Sequence, residues 1–360
     1  MPPIRVVVVG AGAFGRNHLR AYRELEQSHP DLVQLTALVE PNEARRLEYA
    51  TLYNIPTFPT VENFLSAINL SDSGPLALGP GPSPLAASIC VPTIHHAQVA
   101  EQLLNANLDI LIEKPFAATL AEADRILDLA NKLNRIVAIG HLERFNPAVS
   151  AVTSRLNNPM FFEAHRLSIF TPRSLDVDVV LDLMIHDLDI VLSLTQSPVR
   201  EVRAVGLAIL SRKVDIANVR VEFESGCVAN FTASRVSTEQ VRKLRLFQPH
   251  QYLSLDFARQ ELLSINVDPR AAALLSSLPP SSLAPLQTPG EATHPSAGLN
   301  LQKLDLPRAE PLRLELEDFL HAVATRTEPR VPAEAGRAAL SLALEINSEI
   351  ARHAHRAGLA

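Results

Sequence analysis

The stretch IRVVVVGAGAFGRNHLRAY, residues 4–22, decides how the first part of the chain folds. Ile4–Val9 is a β-branched run typical of a buried parallel strand. Gly10-Ala11-Gly12-Ala13-Phe14-Gly15 follows at once, and a helical pattern continues through Leu25. The first glycine allows a tight turn, the second a close approach of a pyrophosphate, and the third close packing of helix on strand. This order predicts a dinucleotide-binding turn whose helix N-terminus faces an anion.

An acidic residue closes the second predicted strand, residues 32–40. Glu40 comes 25 residues after Gly15, where a carboxylate accepts hydrogen bonds from both adenosine ribose hydroxyls and repels a 2′-phosphate. We therefore expect NAD rather than NADP as cofactor. Arg45 and Arg46 follow closely and would soften that preference if they reached the ribose, although solvated helix residues are the simpler interpretation.

The order of elements predicts two domains in 360 residues. Strand and helix alternate to about residue 140, which predicts a doubly wound α/β Rossmann domain over residues 1–143. From residue 161 to 257, strand-like runs follow one another with one helix, residues 179–194, between them. This pattern predicts an α+β domain with an antiparallel sheet over residues 144–360, which includes closing helices at 312–356.

Composition excludes several classes of protein. The net charge is −6 and no basic run stands out, so nucleic acid and anionic membranes are excluded as expected partners. No stretch of about 20 apolar residues and no signal peptide are present, and two cysteines in apolar runs argue against a disulfide framework. We expect a cytoplasmic protein.

Proline is the unusual residue, with 27 prolines against 13 glycines. Twelve of the prolines lie within residues 75–84 and 269–311. The excess therefore predicts two loops, the second spanning about 267–311, rather than a disordered protein.

A lysine is expected at the carboxyl edge of the parallel sheet. Glu113-Lys114-Pro115 ends the predicted strand Asp109–Glu113, and ligands of open α/β sheets bind at this end of the strands. Proline restricts the residue before it to extended geometry, which fixes the direction of Lys114. By itself the tripeptide is equally compatible with a strand end that carries a surface ion pair.

The helix of the second domain carries a second polar group. Asp182, His186 and Asp189 recur at i, i+4 and i+7 and are expected on one face, opposite Leu181, Met184, Ile185 and Leu188. A histidine one turn from an aspartate suits a general base. The pair also suits a metal, but no further ligands are spaced to complete a site, so no metal is predicted. A solvated polar stripe is the remaining alternative.

Taken together these motifs resemble the Gfo/Idh/MocA oxidoreductase family. The matching positions are Gly10, Gly12, Gly15, Pro92, His96, Glu113-Lys114-Pro115, Asp182 and His186. The resemblance implies a Rossmann domain followed by a large, mostly antiparallel open sheet that often forms the interface of a homodimer or homotetramer. It also implies that Lys114 polarises a substrate hydroxyl, that His186 takes its proton and that Asp182 orients the site.

The same resemblance implies a set of cofactor contacts: Gly10, Gly12, Ala13, Phe14, Gly15, Glu40, Pro92, Thr93, His96, Glu113 and Lys114. Thr93 departs from the asparagine that the family often has at this position, and it retains a hydroxyl.

A narrower resemblance, to bacterial UDP-N-acetylglucosamine 3-dehydrogenases, rests on two segments, residues 141–147 and 166–178. It implies oxidation at C3 of the sugar, which supplies a 3-keto sugar nucleotide for the 3-amino sugar of some lipid A. Arg144, Arg166 and Arg173 suit contacts with a diphosphate, and Asn146 suits the sugar hydroxyls or the N-acetyl group. Each is equally compatible with a structural role, and Arg166 lies near Glu163 for an ion pair.

The sequence therefore predicts an NAD-dependent sugar dehydrogenase. Other substrates compatible with it are a cyclitol, a free sugar or another nucleotide sugar, and a biliverdin-reductase-like activity is a further alternative. A regulator that binds the nucleotide without chemistry is a different class, and the joint presence of Lys114, Asp182 and His186 argues against it.

Overall fold

The computed structural model describes residues 2–69, 85–170, 177–267 and 299–358. Contacts between Cα atoms divide the chain into two units: Met1–Phe145 with Ala309–Leu344, and Asn146–Arg308 with Glu345–Ala360. The first change of unit falls two residues after the predicted boundary at residue 143.

The first unit contains a parallel sheet with strand order β3-β2-β1-β4-β5-β6. The strands are β1 (Ile4–Val9), β2 (Val33–Val39), β3 (Thr57–Phe58), β4 (Leu85–Ile89), β5 (Asp109–Glu113) and β6 (Val137–Gly140). The helices are α1 (Gly15–Ser28), α2 (Glu43–Tyr53), α3 (Val61–Asn69), α4 (His96–Asn105) and α5 (Leu120–Leu133). The predicted doubly wound Rossmann fold is confirmed, and the valines of β1 are buried because such sheets are covered on both faces.

The second unit contains a large sheet with strand order β14-β13-β12-β11-β7-β10-β9-β8. Its strands are β7 (Phe161–Ile169), β8 (Val199–Leu207), β9 (Ile216–Phe223), β10 (Val228–Ser237), β11 (Val241–Gln248), β12 (Gln251–Asp256), β13 (Glu261–Val267) and β14 (Leu299–Leu304). Only the pairing of β7 with β10 is parallel among these described strands, so the predicted mostly antiparallel sheet is confirmed.

The predicted loop 267–311 contains a strand. β14 pairs antiparallel with β13, from Val267 opposite Leu299 to Leu262 opposite Leu304. The prediction of an uninterrupted loop was wrong here, because six residues flanked by proline-rich sequence give too short a pattern to recognise. Residues 75–84 and 268–298 lie outside the described residues.

The helix predicted at residues 179–194 is present, but its first turn is not a regular α-helix. It begins with a π-helical turn, Val180–Met184, and continues as α7 (Ile185–Thr195); a short helix, α6 (Pro147–Thr153), precedes β7. The Asp178 carboxylate caps the start by accepting hydrogen bonds from the backbone N–H groups of Val180 and Leu181. π-helical turns inside helices are frequent at functional sites.

The assignment of both closing helices to the second domain was wrong. α8 (Pro311–Thr325) lies in the first unit, whereas α9 (Ala333–Arg356) contributes its residues up to Leu344 to the first unit and the rest to the second. Leu316, Phe319 and Leu320 of α8 share one hydrophobic cluster with Leu19 and Leu25 of α1. The apolar face of a helix can be recognised in the sequence, but the sequence does not show which hydrophobic core that face covers.

Within the described ranges, no helix is both long enough and apolar enough to cross a bilayer.

Candidate active site

The glycine turn after β1 has the geometry that the sequence predicts. Gly10 has φ +93°, and a Cβ on it would lie 2.8 Å from the Cys90 carbonyl oxygen. A Cβ on Gly15 would lie 2.0 Å from the Gly10 carbonyl oxygen, whereas one on Gly12 would meet no protein atom within 4 Å. Gly10 and Gly15 are therefore required by packing, while Gly12 borders open space that suits a pyrophosphate.

The N-terminus of α1 is open to an anion. The helix has no side-chain cap and no acidic residue in its first turn, and Ala13 and Phe14 are exposed beside it. The positive end of the helix dipole and its N–H groups are therefore available for phosphate, in agreement with the predicted cofactor role of this turn.

A cavity of about 420 Å³ lies in the first unit at the carboxyl ends of β1, β2 and β4. Four of the predicted cofactor residues line it: Gly10, Gly12, Glu40 and Pro92. Residues that sequence analysis did not single out complete it, namely Pro59, Thr60, Glu62, Cys90, His95, Gln98 and Gln102, among others. Its volume falls within the range of ligand pockets.

The Glu40 carboxylate is held in place by backbone donors. Its Oε2 accepts a hydrogen bond of 2.7 Å from the N–H of Ala11, and its Oε1 accepts one of 2.9 Å from the N–H of Asn42. The side chain is almost fully buried, yet it borders the cavity. A fixed carboxylate with remaining lone pairs suits the two ribose hydroxyls.

The two arginines after Glu40 differ from each other. Arg45 lines the cavity, and its Nη1 lies 3.8 Å from Glu40 Oε1. Arg46 instead donates to the carbonyl oxygens of Glu40 and Pro41. Arg45 is thus an exposed residue, as expected, that also lines the cavity, whereas the half-buried Arg46 is bonded to the backbone.

His96 braces two loops of the first unit. Its Nδ1 lies 3.0 Å from the Pro115 carbonyl oxygen and its Nε2 lies 2.9 Å from that of Val91. Burial lowers its pKa, against the opposing effect of these two carbonyls. The ring is buried and its neighbour His95 lines the cavity, while the cofactor contact of His96 stays a prediction. Thr93 is half-buried at the start of the short helical turn Thr93–His95.

The Glu113 side chain is held inside the protein. It is buried, and its Oε1 lies 2.8 Å from His18 Nε2. Lys114 follows it as a half-buried residue at the carboxyl end of β5, where the sequence predicted it. Within the described ranges, His18, Glu113 and Glu315 are the only group of three side chains arranged closely enough to hold a metal ion.

Asp182 and His186 lie one turn apart in the second unit, on the π-helical turn and the first turn of α7. Both are partly exposed, whereas Asp189 is 2% exposed. The π-helical turn adds a residue per turn and shifts the spacing that an ideal helix would give. Met184, Ile185 and Leu188 are buried as predicted, and Leu181 is half-buried.

Arg166 forms a buried ion pair instead of an open anion site. Its Nε and Nη2 each lie 2.8 Å from an oxygen of the Asp187 carboxylate, and its guanidinium lies 5.2 Å from the centre of the Phe257 ring. Glu163, the partner considered from the sequence, pairs with Arg245. The pair links β7 to α7 beside His186, and the substrate contact of Arg166 stays a prediction.

Asn146 and Arg144, two further residues predicted to contact the substrate, also make hydrogen bonds within the protein. Asn146 is 1% exposed; its Oδ1 caps α6 at the N–H of Ala148 and its Nδ2 donates to the Phe257 carbonyl. Arg144 donates to the carbonyl of Arg330 at 3.3 Å. The substrate contacts of Asn146 and Arg144 stay predictions, and Arg173 lies outside the described residues.

Comparison with known proteins identifies the family. Residues 4–141 match the model of the oxidoreductase family with the NAD-binding Rossmann fold, and residues 148–248 match the GFO/IDH/MocA C-terminal domain. The chain belongs to the Gfo/Idh/MocA oxidoreductase family. It is thus an NAD-binding oxidoreductase that acts on CH–OH groups, a sugar dehydrogenase.

Individual relatives carry more specific names. The chain is 33% identical over 344 residues to a UDP-N-acetylglucosamine 3-dehydrogenase of Acidithiobacillus ferrooxidans, covering 95% of this chain and 96% of that one. A solved structure under the same name and organism has a TM-score of 0.79 at 32% identity, covering 97% and 98% of the two chains. A WlbA dehydrogenase of Bordetella pertussis, in complex with NADH and UDP-GlcNAcA, has a TM-score of 0.72 at 14% identity over 98% and 97%, which shows the shared fold.

Proposed function

We propose that this family member oxidises the 3-hydroxyl of UDP-N-acetylglucosamine to the 3-keto sugar, with NAD as acceptor. The observation that carries the proposal is the similarity to a dehydrogenase of that name along 95% of the chain. The Glu-Lys-Pro turn and the Asp182–His186 pair support it, because oxidation of an alcohol requires a group that removes the hydroxyl proton.

The proposed roles follow from side-chain chemistry. His186 takes the hydroxyl proton as hydride leaves the sugar carbon, since an imidazole accepts a proton near neutral pH. Asp182, one turn away, orients the ring and stabilises the imidazolium that forms. Lys114 donates a hydrogen bond to the same hydroxyl and polarises it. Bound NAD supplies the hydride acceptor, nicotinamide C4.

The proposed preference for NAD over NADP rests on Glu40. Its carboxylate is fixed by the N–H groups of Ala11 and Asn42 at the border of the cavity. A ribose 2′-phosphate placed there would meet a buried negative charge, whereas a ribose hydroxyl donates to it.

The cellular setting is part of the same proposal. A 3-keto nucleotide sugar is the substrate that an aminotransferase needs to make a 3-amino sugar, which would place this protein before lipid A assembly in the cytoplasm. A homodimer or homotetramer formed through the large sheet of the second unit is proposed as the assembly.

A product assay tests the proposal. Purified protein with NAD is incubated with UDP-N-acetylglucosamine, other nucleotide sugars, free sugars and inositols, and a keto product is sought by mass spectrometry. We expect a product two mass units below UDP-N-acetylglucosamine. An aminotransferase is added to draw an unfavourable oxidation forward, and a product from another substrate alone would refute the assignment.

The variant His186→Ala tests the proposed general base. Its kcat should fall by about 10²- to 10⁴-fold, because general base catalysis contributes that much, while NADH binding measured by fluorescence stays the same. Ser193→Ala on the same helix serves as control. An unchanged kcat in His186→Ala would remove the proposed base.

A second candidate is a cyclitol dehydrogenase. Inositol 2-dehydrogenase of Acidothermus cellulolyticus is 28% identical over 210 residues, 56% of each chain. Three residues expected to contact a nucleotide sugar make hydrogen bonds within the protein: Arg144, Asn146 and Arg166. They therefore give no support for a nucleotide sugar over a cyclitol. The inositols in the substrate panel decide between the two.

A further inference from the structure

The helix that carries Asp182 and His186 changes the spacing of its backbone hydrogen bonds between those two residues. The N–H of Asp182 donates to the Asp178 carbonyl, four residues earlier, at 3.0 Å. The N–H of Ile185 donates to the Val180 carbonyl, five residues earlier. The extra residue of the π-helical turn therefore lies between the two side chains that the proposed function pairs, and it sets the angle between them.

A π-helical turn needs support at both of its ends. Such turns are rare because the α-helix is the ordinary conformation, and an unfavourable local conformation persists where the surrounding structure holds it. After the turn, Arg166 holds Asp187 through two hydrogen bonds of 2.8 Å, one residue beyond His186. The end before the turn must be held as well if the extra residue is to stay in place.

Asp178 holds the end before the turn with its side chain. One carboxylate oxygen, Oδ1, accepts hydrogen bonds of 3.0 Å from the N–H groups of Val180 and Leu181. The other oxygen, Oδ2, accepts a hydrogen bond of 3.0 Å from Nδ2 of Asn347, in the part of α9 that belongs to the second unit. The carboxylate thereby joins the first N–H groups of the turn to a separate helix.

The backbone on either side of Asp178 is fixed as well. The carbonyl of Val177 accepts a hydrogen bond from Nη2 of Arg235, on β10. The N–H of Val179 donates to the Val214 carbonyl at 2.9 Å. The residue that caps the turn is thus held through its own side chain and through both neighbouring residues.

Arg235 is itself held by a buried carboxylate. Its Nε lies 3.7 Å from Oδ1 of Asp215, which is 0% exposed. The other oxygen of Asp215 accepts hydrogen bonds from three backbone N–H groups, those of Ile209, Leu210 and Ser211. Burial acts to raise the pKa of Asp215, but the hydrogen bonds from Ser211 and Leu210 lower it to about 2. The carboxylate is therefore charged at neutral pH and retains its ion pair with Arg235.

We propose that Asp178 is a positioning residue for the reaction: by capping the π-helical turn, it holds Asp182 in the orientation toward His186 that proton removal needs. This inference rests on the roles of Asp182 and His186 in the proposed function. It adds to the Asp-x-x-x-His motif a residue that lies one turn before it.

Asp178→Ala removes the bonds to the turn and to Asn347. Its kcat, measured with NAD and UDP-N-acetylglucosamine or whichever panel member gives a keto product, should fall about 10- to 100-fold through misplacement of Asp182. The KM for that substrate and the dissociation constant of NADH should change less than about threefold. Asp178→Asn retains an oxygen that accepts from both N–H groups, so its kcat should stay within about threefold of wild type.

A double-mutant cycle separates positioning from a general loss of stability. If Asp178 acts through Asp182, then Asp178→Ala should lower kcat less than about twofold when Asp182 is already alanine. Equal fold losses with and without Asp182 would show that Asp178 acts independently of it, which would overturn the positioning role.

Thr119→Ala is the matched control. Thr119 caps α5 in the first unit by accepting a hydrogen bond of 3.2 Å from the N–H of Glu122. Loss of this cap should lower Tm by about 2–4 °C with no change in kcat. If Asp178→Ala does not fold, Asn347→Asp replaces the test: it sets a second carboxylate against Asp178 and should lower kcat about tenfold. Full kcat in folded Asp178→Ala, or in Asn347→Asp, overturns the role.

Failure of this inference and failure of the proposed function have different signatures. Asp182→Ala or His186→Ala with undiminished kcat refutes the proposed function, and the role of Asp178 in the reaction falls with it. The cap itself is measured without substrate, by hydrogen exchange of the backbone amides of residues 180–185. Exchange should be at least about tenfold faster in Asp178→Ala than in the wild type, and unchanged exchange would show that Asp178 does not hold the turn.

Discussion

The residues of the cofactor cavity in the first unit differ from the residues predicted to contact the substrate in how the protein holds them. At the cavity, Gly10, Gly12, Glu40 and Pro92 stand where their motifs indicate. Arg166 and Asn146, expected to contact substrate, are instead buried and bonded to other groups of the protein. The glycine turn acts through its backbone, whose shape is set by neighbouring residues. A long polar side chain takes whichever partner the tertiary structure brings to it.

The spacing of the partners shows why these contacts were hidden. Asp187 is 21 residues from Arg166, the Phe257 carbonyl is 111 residues from Asn146, and Arg330 is 186 residues from Arg144. By contrast, Ala11 and the glycines share one turn, and only Glu40 comes from a different strand. A motif that is complete within a few residues predicts its own geometry, and one that needs a distant partner does not.

Arg166→Ala is expected to have the largest effect. It tests whether the ion pair of Arg166 stabilises the fold. Removing the arginine leaves the buried Asp187 carboxylate without this bidentate partner, which should lower the free energy of unfolding by about 3–5 kcal/mol. Arg245→Ala, which breaks a half-exposed pair with Glu163, should cost about 0–1 kcal/mol. Denaturant unfolding measures both. Unchanged stability together with a raised substrate KM in Arg166→Ala would indicate that Arg166 contacts the substrate.

The two glycines of the turn should separate folding from binding. Gly15→Ala brings a Cβ against the Gly10 carbonyl and should destabilise the fold by about 1–3 kcal/mol. Gly12→Ala meets no protein atom, so its Tm should stay unchanged while NADH binding weakens about 10- to 100-fold, or about 1.4–2.7 kcal/mol. Calorimetric titration with NADH checks this. Full affinity in Gly12→Ala would show that the pyrophosphate lies elsewhere.

Asn146→Ala tests the structural interpretation of a predicted sugar contact. The loss of the helix cap should lower the free energy of unfolding by about 1 kcal/mol, with no change in substrate KM. Asn146→Ser retains a capping oxygen and should lose less. A higher KM at unchanged stability would contradict the structural role.

Arg45→Ala gives the smallest expected effect and sharpens the cofactor assignment. An exposed cation 3.8 Å from Glu40 attracts a 2′-phosphate weakly, so kcat/KM with NADP should fall up to about fivefold while that with NAD stays the same. Arg125→Ala, on the outside of α5, is the control. A loss with NAD as large as with NADP would place Arg45 on the shared part of the cofactor.

Sequence patterns predicted the strands of the Rossmann sheet closely because their apolar runs are continuous and bounded by glycine, proline or polar turns. β5 was predicted at Asp109–Glu113 and is found there. β3 has only two residues, and β14 pairs with β13, which lies about 30 residues earlier in the sequence. Neither strand therefore shows an alternation of apolar and polar residues long enough to recognise. The cluster of His18, Glu113 and Glu315 was not predicted for another reason: His18 and Glu315 each look like ordinary polar helix residues until the fold brings them to Glu113.

The return of residues 309–344 to the first unit also sets an order of events during synthesis. Leu316, Phe319 and Leu320 belong to the same core as Leu19 and Leu25, yet they leave the ribosome some 290 residues later. The nucleotide-binding half completes its interior only after the whole of the second unit has been made. A nascent chain that ends near residue 308 therefore presents an uncovered apolar face on α1, and a shortened gene product that stops there is expected to be a chaperone client rather than a half-enzyme.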